Sequence, residues 1–385
     1  MRLPKKLLLA VLALTGALFA EQKPTQAAPA NLADGLYAEF STPHGAIVAE
    51  LFADKVPMTV TNFVGLAEGT LGPKRAQPYY TGLNWYRVVP GFVIQSGNPN
   101  HPAEGDTGYT FPDEFVPGLR HDGAGVLSMA NAGPGTNSAE FFITLGDQTR
   151  LNYLHSVFGR VVRGGEFLAQ IKADESFSIK ILRVGAIAQA FKADETTFKA
   201  LVAKAKPYHG EAEPGPTAHF SDPDNLLPTE PPRAKAFNFK LNNFERVTGR
   251  KIVARFSAKA PPAEEDTVPG AYMRALAEKL GVAKTGVLAA YFAVDDDWRI
   301  WIGDEVTAIF LGHSPAPGDL AVDGALHEAK EAFFKAAFAA GDAAFLAQQK
   351  ASPSDRQPTA AQHLKLRTDA LLDGLIFKLE PPAKK

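Results

Sequence analysis

The stretch that decides the fold is WYRVVPGFVIQSGNPN, which spans residues 85–100. Its two apolar runs are short, and the pair Pro90-Gly91 separates them. Short apolar runs bounded by Pro, Gly and Asn are typical of strands joined by tight turns. This stretch therefore predicts a strand, a corner and a second strand.

The second of these strands carries side chains that suit a binding groove. Side chains alternate between the two faces of a strand, so Val93 and Gln95 share one face. Phe92 and Ile94 lie on the other face, unless a bulge intervenes at the corner. We expect the aromatic ring and the amide to reach one groove beside Arg87 only if the corner twists the chain.

Short apolar runs bounded by turn residues continue on both sides. Residues 36–51 predict two strands around a turn at residues 42–45, and residues 56–68 carry apolar positions at helical spacing. Further strands are predicted at residues 83–89, 92–95, 125–130, 141–145, 157–162 and 177–184, with a second helix at residues 166–172. Many short strands with two helices favour a closed antiparallel β-barrel, because closure removes exposed strand edges.

The pattern changes after residue 187. A helix-like segment at residues 188–204 precedes a Pro-rich, acidic stretch at residues 207–235, which is typical of a linker. Helices at residues 238–247 and 270–280, with strands at residues 251–257, 287–294 and 298–302, then predict a small α/β domain. A longer amphipathic helix at residues 325–349 has a stripe of Phe333, Phe334, Ala337 and Phe338 that we expect to be buried.

We therefore predict a multidomain chain, since 385 residues exceed one ordinary hydrophobic core. The predicted parts are a signal peptide and spacer at residues 1–30, a barrel domain at 31–187, a helix and Pro-rich linker at 188–236, a small α/β domain with a C-terminal helix at 237–350, and a tail at 351–385 that is polar with one apolar patch.

The N-terminus has the pattern of a secretory signal, because basic residues precede an apolar run from Leu7 to Ala20. That run is shorter than the ~20 residues a membrane-spanning helix needs, although an uncleaved anchor remains the alternative. The chain has no cysteine and a formal net charge of -2. We expect secretion across the inner membrane to the periplasm, no stable membrane span after signal removal, and no nucleic-acid partner.

Four blocks resemble the cyclophilin family of peptidyl-prolyl cis-trans isomerases over residues 36–187. They are LFADKVPMTVTNFVGLAEG at 51–69, the stretch at 85–100, GVLSMANAGPGTNSAEFFITLG at 125–146 and LNYLHSVFGRVVRG at 151–164. The resemblance implies that Arg87 is the catalytic arginine, and the predicted catalytic residues are Arg87, Gln95 and Phe92. It also implies substrate-binding positions at Val93, Ala130, Asn131, Ala132, Phe142, Leu151 and His155. Without these blocks, the phenylalanines fit an ordinary core, His155 a satisfied rim histidine and Arg87 a surface ion pair.

The chemistry of this family needs neither metal nor cofactor. Rotation of an X-Pro amide must break its resonance, against a barrier of about 18–20 kcal/mol. The twisted nitrogen regains its lone pair, so a donor aimed at it stabilises the transition state more than either planar isomer. A guanidinium suits this role, and we expect Gln95 to hold that of Arg87.

Three residues depart from the family pattern. Arg150 stands where well-known members carry a tryptophan, which puts cyclosporin binding in doubt. Glu140 replaces a usual glutamine. An ion pair of its carboxylate too close to Arg87 would compete with the substrate for the guanidinium. Tyr86 replaces a common histidine, which we expect to be harmless.

The segment from residue 237 to residue 310 is similar to the TPM domain of extracytoplasmic proteins. Its roles are not carried over, because its blocks are mostly hydrophobic periodicity. The run Asp295-Asp296-Asp297 fits a solvated turn better than a cation site, since adjacent turn residues point apart.

Two functions are open at this point. The first is an isomerase that acts on proline-containing peptides and unfolded exported proteins, and the second is a non-catalytic peptide-binding scaffold of an extracytoplasmic complex. A separate hydrolase in the C-terminal half lacks a convincing set of nucleophile, base and metal ligands.

Overall fold

The computed structural model describes residues 32–73, 77–99, 107–210, 215–228 and 233–382. The predicted signal peptide and spacer, residues 1–30, lie outside the described residues. From Asp34 to Lys385 the chain forms one compact unit, and its described residues form two β-sheets. In the part of the chain described, no helix is long and apolar enough to cross a membrane.

The first sheet is antiparallel and has eight strands in the order β3-β4-β6-β5-β7-β2-β1-β8. Its strands are β1 (Gly35–Thr42), β2 (Gly45–Leu51), β3 (Arg87–Val89), β4 (Val93–Ser96), β5 (Asp122–Met129), β6 (Phe141–Asp147), β7 (Val157–Arg163) and β8 (Ser178–Val184). The strands predicted from the sequence are present, but the one predicted at residues 83–89 is limited to Arg87–Val89.

The predicted closed barrel is not confirmed by strand pairing. The sheet has β3 and β8 as its two ends. Only the segments that precede these strands meet, through a bridge between Asn84 and Ser176 and a 3.1 Å hydrogen bond from the Trp85 amide to the Glu175 carbonyl. We therefore describe an antiparallel sheet whose ends approach each other.

The helix that follows β2 packs against the core of this sheet. Helix α1 (Pro57–Glu68) begins with a proline, whose missing N–H is not needed in the first turn, and ends at Gly69 with φ 75°. Its Phe63 is fully buried, with its ring centroid 5.4 Å from that of Phe141 and 5.1 Å from that of Phe158. This aromatic core supports the sheet from the side opposite to the groove described below.

Two predicted helices differ from the structure. The helix predicted at residues 166–172 is a short 3-10 helix, Gly165–Gln170, that follows Gly164 in the left-handed conformation. The helix predicted at residues 188–204 is divided into α2 (Gly185–Gln189) and α3 (Glu195–Lys204). The division has a local cause, because the Asp194 carboxylate accepts a hydrogen bond from the Thr197 amide and so begins a new helix.

The second sheet has four strands in the order β12-β11-β10-β9, with β9, β10 and β11 parallel and β12 antiparallel. Its strands are β9 (Phe220–Ser221), β10 (Lys251–Ser257), β11 (Gly286–Phe292) and β12 (Asp297–Ile302), and its helices are α4 (Arg233–Thr248), α5 (Ala271–Lys279), α6 (Asp304–Leu311), α7 (Ala325–Ala351) and α8 (Ala360–Leu379). The α/β character is confirmed, while the similarity to the TPM domain stays a prediction.

Three elements of this half were missed by the sequence. The two-residue strand β9 lies inside the predicted linker, and α6 follows β12 where no helix was predicted. The prediction of a tail at residues 351–385, polar with one apolar patch, is wrong, because α8 is a packed helix that buries Leu371, Leu372 and Leu375 completely. The sequence did not reveal this apolar face, because charged residues interrupt the apolar pattern of the helix. In the structure, several of these charged residues are themselves buried in ion pairs.

The N-terminal half, which contains the first sheet, packs through Tyr153 against the C-terminal half, which contains the second sheet and α4 to α8. Its ring meets that of Phe244 on α4 edge-on, with centroids 5.3 Å apart, and its hydroxyl donates to Glu380 Oε1 at 2.6 Å. The Asn243 side chain donates to the Tyr153 carbonyl at 3.0 Å. The loop between β6 and β7 is therefore held by the C-terminal half.

Candidate active site

Strand pairing places three of the predicted site residues in one row. Arg87 on β3 lies opposite Gln95 on β4, and Gln95 lies opposite Phe142 on β6. Directly opposed residues of a sheet share a face, so these three side chains project to the same side. Val93, two residues before Gln95, joins that face, whereas Ile94 is buried in the core on the other side.

The corner between β3 and β4 brings Phe92 back to this face. Gly91 adopts φ 69°, a conformation that other residues rarely take, and the Phe92 amide closes the turn on the Val89 carbonyl. The ring of Phe92 then lies 5.5 Å from the guanidinium carbon of Arg87. The twist that the sequence required is therefore present, and the aromatic ring and the amide flank one arginine.

The guanidinium of Arg87 is held but accessible. Arg87 is exposed, and its Nη1 donates a 2.9 Å hydrogen bond to Gln95 Oε1. The contact between these side chains agrees with the sequence-based expectation. The catalytic role of Arg87 stays a prediction.

Glu140 sets the orientation of the Gln95 amide. Gln95 Nε2 donates to Glu140 Oε2 at 3.1 Å and to the Tyr86 hydroxyl at 2.7 Å. The Tyr86 hydroxyl donates in turn to Glu140 Oε2 at 2.7 Å, and Asn98 donates to Oε1 at 2.9 Å. A carboxylate only accepts, so the NH2 of Gln95 must face it and the amide oxygen faces Arg87.

An ion pair between Glu140 and Arg87 would make the carboxylate compete with the substrate for the guanidinium. Among the ion pairs of the described residues, none joins Glu140 to Arg87. Tyr86 is part of this network through its hydroxyl, and the expectation that it is a harmless replacement stays a prediction. Burial, followed by the hydrogen bond to Glu140, raises the pKa of the Tyr86 phenol.

Phe142 forms the floor of the apolar surface and is buried between two histidines. The His121 ring stacks on it with centroids 5.8 Å apart, and the His155 ring meets it edge-on at 5.5 Å. Burial lowers the pKa of His121 to about 3 and that of His155 to about 4, so both rings are neutral near pH 7. His155 Nδ1 lies 3.0 Å from the Met129 carbonyl, which only accepts, so this nitrogen carries the proton.

The loops between β5 and β6 and between β6 and β7 carry the other predicted contacts. The Asn131 side chain donates to the Leu154 carbonyl at 2.9 Å, and so anchors the loop rather than pointing outwards. Ala130 pairs with the Glu140 carbonyl through its amide, whereas Ala132 is exposed and donates its amide to Thr136 Oγ1. Leu151 is half-buried and accepts from the His155 amide at 3.2 Å.

Three supporting residues were not found from the sequence. The His121 ring stacks on Phe142. Gln148 donates to the Gly91 carbonyl at 2.9 Å. Asp113 accepts from the Asn137 side chain at 2.8 Å and from the Gly135 amide at 2.8 Å. Asp113 is buried, which raises its pKa. No local pattern marks these residues, because each acts on a segment distant in the sequence.

The Asp295-Asp296-Asp297 run lies at the turn between β11 and β12. Asp296 has φ 47° and accepts from the Tyr291 hydroxyl at 3.0 Å. Asp297 pairs with Arg299 at 2.7 Å. Two of the three carboxylates are thus engaged with neighbouring side chains.

Comparison with known proteins identifies the family to which residues 37–186 are similar. The family model "Cyclophilin type peptidyl-prolyl cis-trans isomerase/CLD" matches residues 37–186. The chain is 46% identical over 134 residues to peptidyl-prolyl cis-trans isomerase A of Mycobacterium tuberculosis, covering 32% of this chain and 72% of that protein. It is 46% identical over 129 residues to a peptidyl-prolyl cis-trans isomerase of Schizosaccharomyces pombe, covering 33% of this chain and 78% of that protein.

A solved structure is also similar. It is a cyclophilin-type peptidyl-prolyl cis-trans isomerase of Cryptosporidium parvum in the presence of the dipeptide Ala-Pro, with 29% identity, a TM-score of 0.34, and coverage of 39% of this chain and 99% of that one. On the family model and the curated relatives, the chain belongs to the cyclophilin-type peptidyl-prolyl cis-trans isomerases.

Proposed function

We propose that Arg87 accelerates X-Pro rotation by stabilising the twisted amide. The observation that carries this proposal is the hydrogen bond from Arg87 Nη1 to Gln95 Oε1 at 2.9 Å, above the Phe92 and Phe142 surface. A guanidinium donates through five N–H groups, so the bond to Gln95 leaves other donors for a substrate.

The reaction needs no transfer of atoms. A donor aimed at the proline nitrogen gains strength as the nitrogen becomes pyramidal, so it lowers the barrier without equally stabilising the ground state. The neighbouring apolar side chains, Phe92, Phe142 and Leu151, would hold the proline ring. The neutral His155 supports Phe142 and takes no part in proton transfer.

The clients that we propose are unfolded exported proteins. The support for this comes from the secretory pattern in the first 30 residues and from the absence of cysteine in the sequence. A periplasmic location follows from the same reasoning. Fractionation of cells that produce the full chain tests it, and recovery of the protein with the cytoplasmic fraction would reject it.

A protease-coupled isomerisation assay on a short proline peptide tests the catalytic proposal. Arg87→Ala removes the donor and should lower kcat/KM by about 100-fold or more, since donors of this type contribute about 3–4 kcal/mol. Arg274→Ala on the exposed face of α5 is the matched control and should keep the rate of the unchanged protein.

The same experiment separates the enzyme from a scaffold. A scaffold would bind the peptide but would not accelerate rotation, in either the unchanged protein or Arg87→Ala. Equal isomerisation rates in these two proteins, with folding verified by circular dichroism, would reject the role of Arg87.

A further inference from the structure

A cleft of about 840 Å³ lies between the loop after β6 and the helices α7 and α8. Residues 147–150 with Asn152 and Tyr153 form one wall, and residues of α7 and α8 form the others. Its volume is in the range of ~300–1,000 Å³ that is typical of ligand sites. The predicted proline groove, by contrast, involves only the N-terminal half.

The cleft is adjacent to the predicted proline groove. Arg150 belongs to both, because it lines the cleft while its guanidinium carbon lies 4.6 Å from the centre of the Phe92 ring. Gln148 lines the cleft as well and donates to the carbonyl of Gly91, the residue before Phe92. A chain that leaves the proline surface past Phe92 in this direction therefore enters the cleft.

The apolar lining comes from small and aromatic side chains. Ala340, Ala344 and Ala347 line the cleft from α7 and are exposed. Across the cleft, Phe377 is 63% exposed, and the Arg120 guanidinium carbon lies 4.3 Å from the centre of its ring. Aromatic residues, including Phe, and arginine are enriched in protein interfaces relative to the rest of the surface.

The charges that line the cleft are of both signs and nearly balanced, with Arg120, Arg150 and Lys365 against Asp147, Asp369, Asp373 and Glu380. On α8, Lys365 pairs with Asp369, and Arg120 pairs with Glu380. Opposite charges in pairs create no strong field of one sign, so the lining does not select a nucleotide or another multiply charged ligand. The exposed amide of Gln348 lines the cleft and can both donate and accept, which suits the C=O and N–H groups of an extended peptide.

We propose that this cleft binds the client polypeptide next to its proline, as an extended segment with uncharged side chains. The C-terminal half would then belong to the substrate-binding surface. This inference rests on the proposed function of the groove, and it adds a site that extends from it.

Peptides of two lengths test the proposal in the full chain. The short one carries little more than the X-Pro bond. The long ones add about ten uncharged residues before or after the proline, which span about 33 Å when extended. For one of the two long peptides, kcat/KM should exceed that of the short peptide by about tenfold, equivalent to about 1.4 kcal/mol of added binding.

A bulky side chain should then close the cleft. Ala344→Trp should reduce the ratio of long-peptide to short-peptide kcat/KM to about one, because the indole fills the space in which the added peptide residues would lie. Ala339→Trp is the matched control, since Ala339 is exposed on the same helix but does not line the cleft, and it should keep the ratio. Phe377→Ala, which leaves a small residue at an exposed position, should lower the ratio without adding bulk.

The results separate this inference from the function on which it rests. Absence of turnover of the short peptide would reject the isomerase proposal itself. Turnover of the short peptide with no gain for either long peptide, or a ratio that Ala344→Trp and Phe377→Ala leave unchanged, would reject the cleft alone. A dimer in sedimentation that Ala344→Trp dissociates would assign the cleft to a second copy of the chain and overturn the proposal.

Discussion

Arg87 and Gln95 face each other across the pairing of β3 and β4, and the guanidinium donates to the amide oxygen at 2.9 Å. The amide presents its oxygen because its NH2 is bound by Glu140 and Tyr86. The position of the charged group thus depends on a chain of three hydrogen-bonded neighbours.

Removal of the Gln95 amide should release Arg87. A hydrogen bond to a charged group contributes about 1.5–3 kcal/mol, so we expect Gln95→Leu to lower kcat/KM by roughly tenfold to 100-fold on a short proline peptide. Gln170→Leu, at an exposed position of the 3-10 helix, should have no effect. If Gln95 acts through Arg87, the double variant with Arg87→Ala should be no slower than Arg87→Ala alone, and full additivity would contradict this coupling.

The carboxylate of Glu140 should matter through orientation. Glu140→Ala leaves the Gln95 amide free to turn, so we expect a fall in kcat smaller than that of Gln95→Leu, with little change in KM. Glu140→Gln keeps one acceptor oxygen and should recover part of the loss. Tyr86→Phe removes only one of the two acceptors of Gln95 Nε2 and should lie between Glu140→Gln and the unchanged protein. Full activity of Glu140→Ala in the coupled assay would show that Gln95 needs no external orientation.

The hydrogen bonds of this network could be predicted only in part from the sequence. Alternation along β4 placed Val93 and Gln95 on one face, and the structure agrees. The bonds among Tyr86, Gln95 and Glu140 depend instead on strand register, which joins segments more than 40 residues apart. The sequence provided the residue types at these positions but not the orientation of the amide.

The C-terminal end shows a second limit. Helix propensity and periodicity identified α7, whose Phe333 and Ala337 are buried as predicted. In α8, Lys365 and Asp369 interrupt the apolar pattern, and their burial as an ion pair depends on tertiary contacts. A pattern of polar residues therefore suggested a tail where the fold contains a packed helix.

The buried His121 should make stability depend on pH. Its pKa is lowered from 6.5 to about 3 by burial, so the folded state binds fewer protons than the unfolded state between these values. Its contribution is complete above about pH 6.5 and is lost as the pH falls, by about 1.4 kcal/mol per pH unit.

Urea unfolding at several pH values between about 4 and 7 measures this effect. We expect His121→Asn to be less stable than the unchanged protein at pH 7, because Asn is smaller and loses the contact with Phe142. Its stability should nevertheless fall less steeply on acidification, and the two curves should converge. Parallel curves would mean that His121 does not titrate on unfolding.

Glu380 should be the main polar link between the two halves. Its side chain is 2% exposed and accepts from the Tyr153 hydroxyl at 2.6 Å, the Gly118 amide at 3.0 Å and Arg120 Nε at 2.8 Å. Glu380→Ala leaves these donors without their acceptor, which costs several kcal/mol when the partners are buried. Arg120 retains 26% exposure, so solvent compensates part of the loss. We expect the free energy of unfolding to fall by about 3 kcal/mol.

Two further variants and a second measurement define this prediction. Glu380→Gln keeps one acceptor oxygen and should cost less than Glu380→Ala. Asp355→Ala removes an exposed carboxylate 3.9 Å from Arg356 and should change the unfolding free energy by less than about 0.5 kcal/mol. Hydrogen exchange should increase in the last turns of α8 in Glu380→Ala, because the buried carboxylate no longer fixes that end to Tyr153. Equal unfolding free energies for Glu380→Ala and Asp355→Ala would mean that apolar packing of Leu371, Leu372 and Leu375 alone holds the helix in place.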